Sequence, residues 1–65
     1  MNKQFQISIE TNTTSEGISS HQLLRDAIMW ADIYLSTHKS EYIKSENPAI
    51  VIWEGDFMVE HIPFF

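Results

Sequence analysis

His21, His38 and His61 are the first places to look for metal or proton chemistry in this chain. They stand 17 and 23 residues apart, so none forms the i, i+4 pair by which a helix presents two imidazoles to one ion. The chain has no cysteine, which removes thiolate zinc sites and disulfides. Read singly, His21 is a solvated residue in a helical first turn, His38 a late-helix residue favourable to the helix dipole, and His61 a strand-end residue. Glu54, Asp56 and Glu60 lie close in sequence but lack the alternating acidic loop that wraps calcium. With only Gly17 and Gly55, no glycine loop can cradle a phosphate, and no G-x-S-x-G elbow presents a serine. The expectation is a protein that is not an enzyme, with no metal site and no cofactor.

Among the elements that could position these side chains, Phe5-Gln6-Ile7-Ser8-Ile9-Glu10 alternates apolar and polar, which predicts a strand with Phe5, Ile7 and Ile9 inward. Thr11 to Gly17 is polar and predicts a loop. Its Asn12-Thr13-Thr14 matches the glycosylation sequon, which carries little weight without a secretory signal. Ile18-Ser19-Ser20-His21-Gln22-Leu23 matches a capping box, Ser19 to Gln22, and a hydrophobic staple, Ile18 to Leu23. A helix is therefore predicted from Ser20 to about His38. Leu24, Ala27, Ile28, Ala31, Leu35 and His38 fall on one stripe at 100° per residue, widened by Leu23, Trp30 and Tyr34. Met29 and Ile33, one turn apart, point outward and form a secondary candidate partner surface. Ser40 to Lys44 either prolongs the helix or makes a separate turn, and Asn47-Pro48 ends it.

Ala49 to Glu54 and Phe57 to Ile62, joined by Gly55-Asp56, predict an antiparallel hairpin with a two-residue loop. Strict alternation then sets Glu54 opposite Phe57, Ile52 opposite Val59 and Ile50 opposite His61 on one face. The other face holds Ala49, Val51 and Trp53 opposite Ile62, Glu60 and Met58. Both faces are largely apolar, and one helix covers only one of them. With Phe5, Ile7, Ile9, Ile50, Ile52, Phe57 and Val59 assigned to the helix side, Val51, Trp53, Met58 and Ile62 remain on an open face around Glu60. A patch of that kind marks an interaction surface, unless Pro63-Phe64-Phe65 or residues 39–47 fold over it. The predicted fold is α+β: a single domain, residues 1–65, with one helix on a three-stranded sheet in the order β-α-β-β. The first strand is expected parallel to the second after a right-handed crossover; pairing with the third instead gives an all-antiparallel sheet.

Nine acidic residues against Lys3, Arg25, Lys39 and Lys44 give a net charge of −5. No Lys or Arg follows Lys44, whereas Glu46, Glu54, Asp56 and Glu60 do. That excludes a phosphate-backbone footprint and an anionic membrane surface, and favours a basic partner. No apolar run approaches the ~20 residues of a membrane span. Nor does the N-terminal stretch resemble a signal peptide, so a cytoplasmic location is expected. Small β-α-β subunits of this length include the tautomerases, which act through an N-terminal proline; here Asn2 follows Met1, and the prolines are Pro48 and Pro63. The functional expectation is a small acidic protein-binding module, a stoichiometric inhibitor or adaptor. By analogy it compares with phage or mobile-element proteins that act on a host nuclease, defence complex or polymerase. Its candidate contacts are Val51, Trp53, Met58, Ile62, Glu54, Asp56 and Glu60. The alternatives are a homodimer through the open sheet face and an acidic antitoxin neutralising a basic toxin.

Overall fold

A computed structural model describes residues 4–65; Met1, Asn2 and Lys3 lie outside it. The chain runs β1 (Phe5–Glu10), β2 (Ser15–His21), α1 (Leu24–His38), a 3₁₀ turn (Lys39–Tyr42), β3 (Ala49–Glu54) and β4 (Phe57–Pro63). The strands form one antiparallel sheet in the order β2-β1-β3-β4. The α+β class holds, with four strands where three were expected.

The difference lies in residues 11–23. Thr11 closes a tight turn, its Oγ1 accepting from the backbone N–H of Thr13 and Thr14 while its own N–H donates to Thr14 O at 2.9 Å. This is the way short hydroxyl side chains stabilise turns. The chain then returns along β1 as a strand. Gly17 and three serines in Ser15–His21 are weak helix formers, and a cap contributes about 1 kcal/mol, little against a whole strand ladder. Ser19 is therefore not an N-cap: its Oγ pairs with His21 Nε2 at 2.8 Å. The helix starts at Leu24, with extended Leu23 as its N-cap and no side-chain cap bond.

Because β2 carries the chain back to the end where β1 begins, α1 takes it to the far end and β3 returns antiparallel to β1. The expected parallel pairing is thereby excluded. The helix lies on one face of the sheet. Ala27 and Ala31 are buried against Ile7, Ile9, Ile50 and Ile52, and Leu24, Ile28, Trp30, Tyr34 and Leu35 pack around them. Small residues on the helix midline let it approach closely, and larger ones fill the flanks. The segment after the helix is a separate turn; Asn47 adopts φ 51° before buried Pro48.

The hairpin turn is as expected, with Glu54 paired to Phe57 and Gly55 at φ 61°, the conformation a primed turn requires of its first residue. The register beyond it is not. Trp53 pairs with Met58 but Ile52 pairs with Glu60, leaving Val59 unpaired as a β-bulge. Every residue past Val59 changes face. Ile62 joins Ile50 on the helix side and packs against the core, while His61 comes opposite Val51.

The C-terminal tail also goes to the helix side. Phe64 is fully buried in the core, its ring 4.5 Å from that of Tyr42 and its N–H donating to Pro48 O at 3.0 Å. The tail does not cover the open face at Trp53. Among the described residues, no helix is long and apolar enough to cross a membrane.

Candidate functional site

The open face divides at Trp53. This residue sits on β3 between Gln6 of β1 and Met58 of β4. Its Nε1–H donates to Ser8 Oγ at 2.9 Å. Ser8 pairs with Val51, so the indole reaches diagonally from β3 to β1 over the Val51 position. That accounts for Val51 being 1% exposed on a face without a helix. Val51 is thus part of the packing and not an accessible contact. Trp53 itself is half-buried and held by its hydrogen bond.

On the β1–β2 side of the indole the face is polar. Ser8, itself 7% exposed, donates to Glu10 Oε2 at 2.7 Å, and Ser15 donates to the same oxygen. A carboxylate taking two hydroxyl donors on one oxygen is held in a fixed position. Ser20 donates to Gln4 Oε1 at the other end of the strand pair. Together with Gly17 these side chains leave a shallow trough of about 650 Å³ bounded by Trp53, Gly55 and Asp56.

On the β4 side the face is apolar and exposed. Met58 stands opposite Trp53 and is 48% exposed; Phe57, across from Glu54 and therefore on the helix side of the hairpin tip, is 72% exposed. Phe57 was expected in the core. It misses the core because α1 contacts the sheet around Ile7, Ile50 and Ile52, short of the hairpin tip. Val59, also expected inside, is the bulged residue and is half-buried. Glu60 lies on the helix side by register, at the exposed outer strand, and not on the open face. Ile62 is excluded from the surface site by its core packing. Of the expected contacts, Trp53, Met58, Glu54 and Asp56 are brought together at the hairpin, with Phe57 as the residue that strict alternation conceals.

Met29 and Ile33 are exposed as their helical positions imply, beside a smaller hollow lined by His21, Asp26 and Trp30. Next to them runs an aromatic ladder. Trp30 stacks on Tyr34 with centroids 5.1 Å apart, and Tyr34 on His38 at 4.0 Å with planes 7° apart. The spacing 30, 34, 38 is the helical i, i+4 repeat and was visible in the sequence as a stripe flank. His21 ends β2 and leans against Trp30 at 5.9 Å, not in a helical first turn. Tyr34 and Tyr42 share a hydroxyl–hydroxyl hydrogen bond at 2.9 Å. Burial, followed by that bond to Tyr34, pushes the Tyr42 phenol up to about 12. His38 and Glu41 approach to 3.9 Å. Among the described residues no group of three or more His, Asp or Glu could hold a metal ion.

Comparison of the chain with protein-family models, with curated proteins and with solved structures gave no match.

Proposed function

We propose that this protein is a small acidic protein-binding module, a stoichiometric inhibitor or adaptor, that engages a basic partner through the tip of the β3–β4 hairpin. The observation that carries this reading is the exposure of Phe57 and Met58, on opposite faces of β4 just after the turn, with Glu54, Asp56 and Glu60 as neighbours. Aromatic and methionine side chains are enriched in interface cores, and a few such anchors supply most of the binding energy. The surrounding carboxylates steer a positively charged surface toward them. A nucleic-acid-binding protein, such as a nuclease or polymerase, presents a surface of that sign. The reading is therefore of a competitor for that surface, acting without chemistry of its own. A homodimer through the open face is disfavoured by charge, since that face carries Glu10 and Asp56 and, among the described residues lining its trough, no Lys or Arg to meet them. An antitoxin against a basic toxin would use the same hairpin.

The test is affinity capture with the wild-type protein and with a Phe57→Ser, Met58→Ser double variant, the fold of each checked by circular dichroism. The expected result is a basic protein held at 1:1 stoichiometry by the wild type and lost by about 30-fold or more in the variant, the effect of removing one interface hot spot. Equal recovery by two folded baits would remove the hairpin as the binding surface.

A further inference from the structure

The trough on the open face is not explained by hairpin docking alone. Its floor is small: Ser8 on β1 pairs with Gly17 on β2, and a Cβ at Gly17 would meet nothing within 4 Å. The space is therefore open at a position where the backbone does not require glycine. One wall is the Trp53 indole, held in place by its bond to Ser8. Glu10 stands at one end of β1, and Asp56 lies in the turn that follows Glu54, the partner of Phe5 at the other end. The two carboxylates are thus about five strand residues, or ~17 Å, apart along the trough. Among the described residues, no Lys or Arg lines it.

We propose that this trough receives the cationic side chain of an extended basic segment of the partner, an arginine or lysine laid along the Trp53 indole. The inference rests on the protein-binding reading above and adds the chemistry by which the partner is recognised. A guanidinium or ammonium group gains from the ring quadrupole of tryptophan. Its N–H donors meet the carboxylate of Glu10 or Asp56 and the serine oxygens of the floor. A hydroxyl-lined trough beside an indole would also fit a neutral sugar ring. Two carboxylates, with no Lys or Arg among the described lining residues, favour the cation. The position of Trp53 joins the two halves of the surface, with Met58 on one side for an apolar anchor and the trough on the other for the charge.

The experiment is a titration of ¹⁵N-labelled protein, followed by NMR, with blocked tripeptides of arginine or of glutamate and with a neutral oligosaccharide. The arginine peptide is expected to give saturable shifts at the Trp53 indole N–H and at the Ser8 and Gly17 amides, weakening as salt is raised. Glu10→Gln is expected to reduce the affinity about 5-fold, the effect of losing one partly solvated ionic contact. Gly17→Leu fills the trough and is expected to abolish the shifts while the fold persists. Shifts spread over Asp26, Asp32 and Glu41 without saturation at Trp53 would overturn the proposal, as would a response to the oligosaccharide in place of the peptide. The Phe57→Ser, Met58→Ser variant separates this inference from its premise. Its undiminished binding of the peptide, beside partner capture that ignores the hairpin, would leave the trough standing and remove the docking tip. Capture that needs the hairpin, with no peptide site, would do the reverse.

Discussion

β2 and β4 lie at opposite edges of one sheet, each seven residues long, and each carries one unpaired residue, Ile18 in β2 and Val59 in β4. The bulges do different work because the strands have different chemistry. β2 is Ser-Glu-Gly-Ile-Ser-Ser-His, and its single aliphatic residue, Ile18, packs against the core. β4 is Phe-Met-Val-Glu-His-Ile-Pro, with apolar residues on both sides. There the bulge divides them: Ile62 goes to the core, and Met58 stays on the open face. One edge thereby offers a polar trough and the other an apolar tip. Both bulges also twist their strands away from flat edge pairing. Pro63 adds to this at β4. The bond from Phe64 N–H to Pro48 O makes Ala49 and Pro63 a non-hydrogen-bonded pair, so the missing proline N–H falls on the outer edge.

The sharpest way to break this comparison is to place a carboxylate on either face of β4 beyond its bulge. Ile62→Asp puts an unpaired charge against the core and is expected to cost about 3 kcal/mol or more, enough to unfold a domain of this size in a urea titration. His61→Asp, its neighbour on the open face, is expected to change stability by no more than about 0.5 kcal/mol. A strand without the bulge would reverse that order, since strict alternation sends His61 inward and Ile62 out.

Period two is legible in the sequence of β1 and β3 and stops being a guide at the β4 bulge. Period two placed β1, and it placed β3 and the Gly55-Asp56 turn, because there each side chain follows its parity. The helix stripe at Ala27 and Ala31 followed from period 3.6 in the same way. A bulge leaves no mark in composition: nothing about Val59 distinguishes an unpaired residue from a paired one. All assignments past it, Glu60 and Ile62 included, inherited the error. The β2 strand was hidden for another reason. Ser19 and Gln22 have the spacing of a helix start, and only the unpaired edge of β1, a non-local fact, decides against it. Trp53 was legible as a surface-face residue but not as one bonded to Ser8, because a diagonal contact requires the β1–β3 register.

The trough side is tested next. Ser8→Ala removes the acceptor of the Trp53 indole N–H and one donor to Glu10. Because the indole is half-buried, water replaces part of the loss, and about 1 kcal/mol is expected in denaturant titration. Ser20→Ala, an exposed hydroxyl on the same side, is expected to change stability by a few tenths at most. Equal costs would mean that the indole is not held by Ser8 and that the trough has no fixed wall.

The helix side offers a comparison in pH. The Tyr42 phenol titrates near 10 in the unfolded chain and at about 12 in the fold. The neutral phenol is therefore favoured by folding. Its contribution is fully present below pH 10 and is lost as the pH rises toward 12. Alkaline unfolding followed by circular dichroism should show stability declining through that window. Tyr42→Phe should flatten the decline, because it keeps the ring on Phe64 and removes the proton. A decline of equal slope in the variant would assign it to other groups.

The smallest effect discriminates most sharply between the two descriptions of residues 15–23. If Ser19 capped a helix, Ser19→Ala would cost about 1 kcal/mol and lower helical signal at the first turn. In the strand its hydroxyl pairs with the imidazole of His21 and caps no backbone N–H among the described residues. Alanine there should cost less than about 0.5 kcal/mol and leave the far-ultraviolet spectrum unchanged. Its amide should also keep the exchange protection of a β1–β2 ladder position, where Ser19 stands opposite fully buried Ile7. Protection that starts instead at Gln22 or Leu23 would mean that β2 is not formed. Ile18 would then lose its inward turn and the trough its outer wall, so the polar edge stands or falls with the pairing of this one serine.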